Sequence, residues 1–126
     1  MKKPIIAITM GDACGIGSEL IAKILSAEDI YEYCCPFVIG KPEVMKNAAK
    51  LVGENFYIND ISDIKEAEFK FARLDVLSPP LLKVPLNSWG KVDPAMGKAA
   101  AECLGYAFEM AAEKQIDAVV SAPLNK

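Results

Sequence analysis

Apolar positions along the chain switch repeatedly between two spacings. Residues 4–9 are almost wholly apolar, as expected of a strand buried on both faces of a parallel sheet. From Gly17 to Leu25 the spacing becomes helical, with Leu20, Ile21, Ile24 and Leu25 assigned to one face. Phe37 to Ile39 predicts a second strand, closed by Gly40. Pro42 then opens a helix carrying Val44, Met45, Ala48, Ala49, Leu51 and Val52 and stopping at Gly53. Phe56 to Ile58 and Phe69 to Val76 predict two further strands. A long Ala-rich helix over Pro94 to Lys114 has Lys98, Glu102, Glu109 and Glu113 on one stripe and is expected to be largely buried. Ile116 to Ser121 predicts a last strand. Such alternation argues a three-layer α/β domain with a mostly parallel sheet.

One segment resists assignment. Residues 78–90 contain Pro79, Pro80, Pro85 and Gly90 and cannot form one continuous element. They are expected to make an excursion, with Trp89 as a packing or interface anchor.

The joint between the first strand and first helix carries the strongest chemical signal, Thr9-Met-Gly-Asp-Ala-Cys-Gly-Ile-Gly-Ser-Glu19. A strand, a glycine-rich loop and a helix in succession gather free backbone N–H groups and a positive dipole end at one point, suited to a phosphate. Gly11, Gly15 and Gly17 let the backbone approach a ligand closely. Ser18 to Leu20 supply no third glycine for a dinucleotide fingerprint, and no G-K-[ST] follows for a P-loop. Asp12 reads equally as a ligand contact or as a turn former, and Glu19 as a complement to the helix dipole.

The loop resembles the G-D-P-A-G-I-G-P-E segment of the 4-hydroxythreonine-4-phosphate dehydrogenases of pyridoxal phosphate (vitamin B6) biosynthesis, which share the isocitrate/isopropylmalate dehydrogenase fold. Gly90-Lys-Val-Asp-Pro-Ala-Met-Gly97, the Ala-rich helix and Asp117-Ala-Val-Val-Ser-Ala-Pro-Leu-Asn-Lys126 resemble the family's glycine–helix–strand unit with its T/S-A-P-x-N-K motif. Three positions depart from the family pattern: Ala13 and Ser18 replace prolines and Cys14 replaces Ala. They bear on subfamily and substrate more than on fold.

The resemblance implies an NAD-dependent oxidoreductase that oxidises and decarboxylates a small phosphorylated hydroxy acid with help from a divalent metal. It implies a cytoplasmic homodimer, with Gly11, Asp12, Gly15 and Gly17 at the cofactor and Asn125 and Lys126 at the substrate. Family members are more than twice as long, and their three metal-binding histidines and a His-Thr substrate pair lie beyond the matching segment. This sequence has no histidine, so residues 1–126 read as an incomplete N-terminal portion, expected to be inactive alone. Relatives acting on 4-phospho-threonate or 4-phospho-erythronate, a non-catalytic remnant and an acyl-phosphate transferase of the same fold stay open.

Composition narrows the remainder. Fourteen basic against 17 acidic residues, without a basic cluster, disfavour nucleic acid and anionic membranes as partners. The apolar runs are too short to span a bilayer, and Gly11-Asp12 interrupts what could begin as a signal peptide. Cys14, Cys34, Cys35 and Cys103 lack C-x-x-C spacing and read as reduced thiols, with Cys14 best placed for reactivity.

Overall fold

A computed structural model describes residues 3–10, 17–53, 56–79 and 94–121. Five parallel strands form one sheet: β1 (Ile5–Thr9), β2 (Cys35–Ile39), β3 (Tyr57–Ile61), β4 (Arg73–Leu77) and β5 (Ala118–Ser121), in the order β3-β4-β2-β1-β5. The helices are α1 (Gly17–Ile24), α2 (Ile30–Tyr33), α3 (Pro42–Leu51) and α4 (Pro94–Ala112). The expected strand–helix alternation is present. The short α2 and a 3-10 turn at Ile64–Glu66 are additions that periodicity over so few residues does not reveal.

Register fixes which side chains share a face. Phe37 of β2 meets Phe69 edge-on at 6.5 Å, so it faces the connection between β3 and β4. Ala7 pairs with Phe37 and with Val119, and Thr9 with Ile39 and Ser121, which puts all of these on that face. Ile6, Ile8, Ala118 and Val120 therefore occupy the opposite face. The crossovers β1-α1-β2 and β2-α3-β3 run one way across the sheet, and β4-α4-β5 runs back. With right-handed crossovers, α1 and α3 lie on the Ile6/Ile8 face and α4 on the other. α1 packs against α3, and α4 against β1, β2 and β5, as this requires.

The core takes Phe37, Ile39, Leu74, Val76 and Leu77 from the sheet, and Leu25, Met45 and Cys103 from the helical side. Two helix faces differ from expectation. In α1, Ile21 and Ala22 are buried with Leu25, whereas Leu20 and Ile24 are exposed. At 100° per residue, positions 20 and 24 stand off to one side of the 18/21/22/25 stripe that meets the sheet. In α4 only the stripe Cys103, Ala107 and Met110 is fully buried among the described side chains, and Phe108 is exposed. The expectation of a largely buried helix is corrected: its small residues fit one sheet contact but do not imply a second.

The fourth strand starts later than its apolar pattern suggests. Phe69 and Ala72 have φ of 52° and 69°, left-handed values that break extended pairing until Arg73. Asp75, fully buried on β4, organises this bend. Its carboxylate accepts the backbone N–H of Glu68 at 3.1 Å and of Phe69 at 2.9 Å, and the Asn59 amide at 2.8 Å.

Helix ends show a contrast of chemistry. α3 is followed by Gly53 at φ 77°, the residue type that enters this region without cost. α4 closes with Lys114 at φ 62°, where the Lys114 N–H donates to Ala111 O and the Gln115 N–H to Met110 O, a complete Schellman motif on a side-chain-bearing residue. Lys114→Gly is expected to stabilise the chain by about 0.5–1 kcal/mol, read as a higher urea midpoint. A lower midpoint would mean that the Lys charge at the helix carboxyl end outweighs the left-handed cost.

Candidate functional site

The carboxyl ends of β1, β2 and β4 are drawn level by backbone bonds beyond the strands. Met10 N–H donates to Ile39 O at 3.1 Å, and Gly40 N–H to Leu77 O at 3.0 Å. At this rim α1 begins, so its amino end points toward the carboxyl side of the sheet, where ligands of open α/β sheets bind. Gly17 is the first residue of α1, and Glu19 lies in its first turn. Gly11, Asp12, Gly15 and Cys14 lie outside the described residues, as do Asn125, Lys126 and Trp89.

Strand register aligns the residues that precede the two sequence motifs. Thr9 precedes the glycine-rich segment, Ser121 precedes the segment ending in Asn125-Lys126, and Thr9 and Ser121 are register partners on adjacent strands. Neighbouring strands lie about 4.8 Å apart, so Thr9 and Ser121 stand side by side.

Two hydroxyls at this rim were not singled out by sequence pattern. Thr9 Oγ1 and Ser18 Oγ are buried and have no hydrogen-bond partner among the described residues. Buried hydroxyls ordinarily find partners, and an unmet one costs about 1–3 kcal/mol. Thr9 ends an otherwise apolar strand and Ser18 stands where the resembling loop has proline, the only signals either position gave. In the sequence, Gly40 signals only the end of a strand. A Cβ there would meet Met10 Sδ at 2.7 Å and Met10 Cβ at 2.9 Å, so the rim is closely packed at this point.

Other concavities lie elsewhere. A cavity of about 410 Å³ lined by Lys3, Pro4, Ile5, Lys114, Gln115 and Asp117 sits at the amino end of β1 and β5. There the Ile5 N–H donates to Asp117 Oδ2 at 2.7 Å. A second, of about 380 Å³, runs along the outer strand β3 beside α3. Neither is at the rim between β1 and β5. No group of three or more potential metal ligands occurs among the described residues, and no described helix is long and apolar enough to cross a membrane.

The described thiols are free, with Cys103 buried and Cys34 and Cys35 half-buried. Burial, helped by Glu102, pushes the Cys103 thiol up to about 12. Burial also raises Tyr31 to about 12, with the charge of Asp75 adding to it. Both acids therefore hold their protons in the folded chain past the ordinary values of 9.0 and 10.0. Their stabilisation is complete below those values and is lost as pH rises toward about 12. The urea midpoint is expected to fall from pH 9 upward, and Tyr31→Phe to flatten part of that fall. A midpoint independent of pH in this range would contradict it.

Comparison with known proteins agrees with this fold. The family described as pyridoxal phosphate biosynthetic protein PdxA matches residues 32–126. A Clostridium botulinum protein assigned as D-threonate 4-phosphate dehydrogenase is 36% identical over 125 residues, covering 99% of this chain and 37% of the relative. An Oceanobacillus iheyensis protein with the same assignment is 39% identical over 126 residues, covering 99% of this chain and 38% of its own length. The crystal structure of a 4-hydroxythreonine-4-phosphate dehydrogenase from Burkholderia phymatum superposes with a TM-score of 0.94 at 35% identity, over 100% of this chain and 38% of that one. The chain thus spans little more than a third of the length of these relatives.

Proposed function

The chain belongs to the PdxA family, and from that premise we propose that it forms the amino-terminal part of an NAD-dependent dehydrogenase acting on a four-carbon hydroxy acid phosphorylated at its 4-position. The observation that carries this reading is the register of Thr9 beside Ser121, which starts the glycine-rich and Asn125-Lys126 segments from neighbouring strand ends. The substrate of the sequence reading is 4-hydroxythreonine 4-phosphate, oxidised and then decarboxylated. The assignments of the Clostridium and Oceanobacillus relatives favour D-threonate 4-phosphate as a second reading. The two candidates share the phosphate that a cationic Lys126 and a helix amino end would hold.

The rim suits a polar ligand: two buried hydroxyls lack partners among the described residues, and α1 begins between them with Gly17. NAD, when bound, supplies the hydride acceptor. Gly11, Gly15 and Gly17 would admit it by close backbone approach, and Asp12 would orient its polar groups. Asn125 and Lys126 would orient the substrate from the adjacent strand end. The divalent metal of the family does not fit the residues present, since the chain has no histidine and the described residues hold no ligand cluster. A cytoplasmic homodimer is the setting that accompanies this reading.

The test is Gly15→Val, with NAD affinity and melting temperature measured together in the protein carrying the family's remaining length. Loss of affinity by about tenfold or more at a nearly unchanged melting temperature is expected, because a β-branched side chain fills the space of backbone approach. Unchanged affinity would remove the loop from the site. Turnover of D-threonate 4-phosphate against 4-hydroxythreonine 4-phosphate then separates the two substrates.

A further inference from the structure

At the end of the sheet opposite the rim, β1 and β5 begin beside the cavity of about 410 Å³ lined by Lys3, Pro4, Ile5, Lys114, Gln115 and Asp117. That volume falls within the range of about 300–1,000 Å³ that takes small ligands. Its walls are held by hydrogen bonds. Asp117 N–H donates to Ile5 O at 2.8 Å, and the Ile5 N–H donates back to Asp117 Oδ2 at 2.7 Å. Cys35 N–H donates to Pro4 O at 2.8 Å, and Lys3 Nζ to Tyr31 O at 2.8 Å. The Schellman bonds that close α4 fix Lys114 and Gln115.

The charges of this cavity are not spent on one another. Two lysines and one aspartate line it, yet among the described residues no ion pair joins them or ties either lysine to another carboxylate. Lys3 keeps two ammonium protons beyond the one given to Tyr31 O, and Lys114 keeps three. Asp117 Oδ1 accepts no hydrogen bond among the described residues. Lys114 also stands at φ 62°, where glycine would be relaxed, so its side chain is kept against the preference of the backbone.

We propose that this cavity binds a small molecule with two anionic groups and one ammonium, an acidic amino acid or an amino acid phosphate. Its anions meet Lys3 and Lys114, and its ammonium meets Asp117 Oδ1. Two ammonium groups against one carboxylate leave the cavity a single positive charge, and a dicarboxylic amino acid carries a single negative one. A plain anion fits less well, because Asp117 and the carboxyl end of α4 both repel it. The site is separate from the rim, which lies about 13 Å away along the five residues of β1.

The experiment titrates the chain with L-glutamate and, separately, with O-phosphoserine, and follows backbone amide NMR shifts. Saturable shifts are expected at residues 3, 5 and 114–117, centred there rather than on Thr9 and Ser121, with a Kd of about 1 mM or tighter. Lys114→Gly is expected to weaken binding about tenfold or more while the urea transition stays cooperative, since glycine suits the left-handed position. Glutarate, which is glutamate without its ammonium, is expected to bind about tenfold more weakly than glutamate. Asp117→Asn should erase that preference, because asparagine still accepts the Ile5 N–H but lacks the charge. The tighter of glutamate and O-phosphoserine identifies the second anion as carboxylate or phosphate, and either order supports the site. The proposal is overturned if no saturable shifts surround the cavity, if they centre on Thr9 and Ser121, or if glutarate binds as tightly as glutamate. It is also overturned if Lys50→Ala, at an exposed position of α3, weakens binding as much as Lys114→Gly.

Discussion

Asp75→Ala is expected to destabilise the chain by about 3 kcal/mol or more, read from urea unfolding at neutral pH. The carboxylate is buried on a central part of the sheet and gathers two backbone N–H groups and the Asn59 amide. Alanine leaves all three donors without an acceptor, at about 1–3 kcal/mol each before water relieves some of them. The damage should be local in origin. Glu68 and Phe69 belong to the bend whose left-handed residues release β4 to pair with β3, and Arg73 at the start of β4 lies 2.6 Å from Glu68 and 4.7 Å over the Tyr57 ring. Asp75→Asn should cost clearly less, because it keeps one acceptor oxygen. A cost below about 1 kcal/mol for the alanine variant would show that the bend does not depend on the carboxylate.

Asp75 also marks where the sequence stops being legible. Residues 4–9 and 37–39 read as strands because each is a continuous apolar run, although β1 is fully buried only at Ala7 and Thr9 and not on both faces as expected. Pro42 and Gly53 bracket α3 because each has a backbone reason to be there. A single acid in an apolar strand gives no such sign; only its partners, six to sixteen residues away, explain it. Lys114 is hidden for the opposite reason, since it does in a helix cap what sequence rules reserve for glycine. Leu20 and Ile24 share a helical stripe with Ile21 and Leu25 at coarse resolution, and only the sheet decides which pair is buried. The glycine-rich segment is read as chemistry from residue type and order alone, since residues 11–16 lie outside the described residues. Its neighbours Thr9 and Ser18 are not, since an isolated hydroxyl acquires significance only through burial without a partner.

Gly40 and Met10 should prove coupled at the rim that carries the candidate site. Gly40→Ala puts a Cβ within 3 Å of Met10 Sδ and Met10 Cβ, and the second contact is with an atom that cannot swing away. Overpacking of this kind costs about 1–3 kcal/mol. Met10→Ala alone removes a fully buried side chain and should cost about 2–5 kcal/mol through the cavity it leaves. The double variant is expected to cost less than the two added together, because Met10→Ala removes the Sδ and Cγ contacts at 2.7 and 3.3 Å, leaving only the contact with the retained Cβ. Strict additivity in urea unfolding would mean that the rim relaxes around Gly40 without moving Met10. The coupling bears on function through the backbone: Met10 N–H is held by Ile39 O and Gly40 N–H by Leu77 O, so these bonds set the point from which the glycine-rich segment departs. Shifting Met10 by a few tenths of an ångström should therefore weaken ligand binding at the rim in Gly40→Ala beyond its effect on stability, while substitutions around the cavity at the amino end of the sheet should leave that binding unchanged.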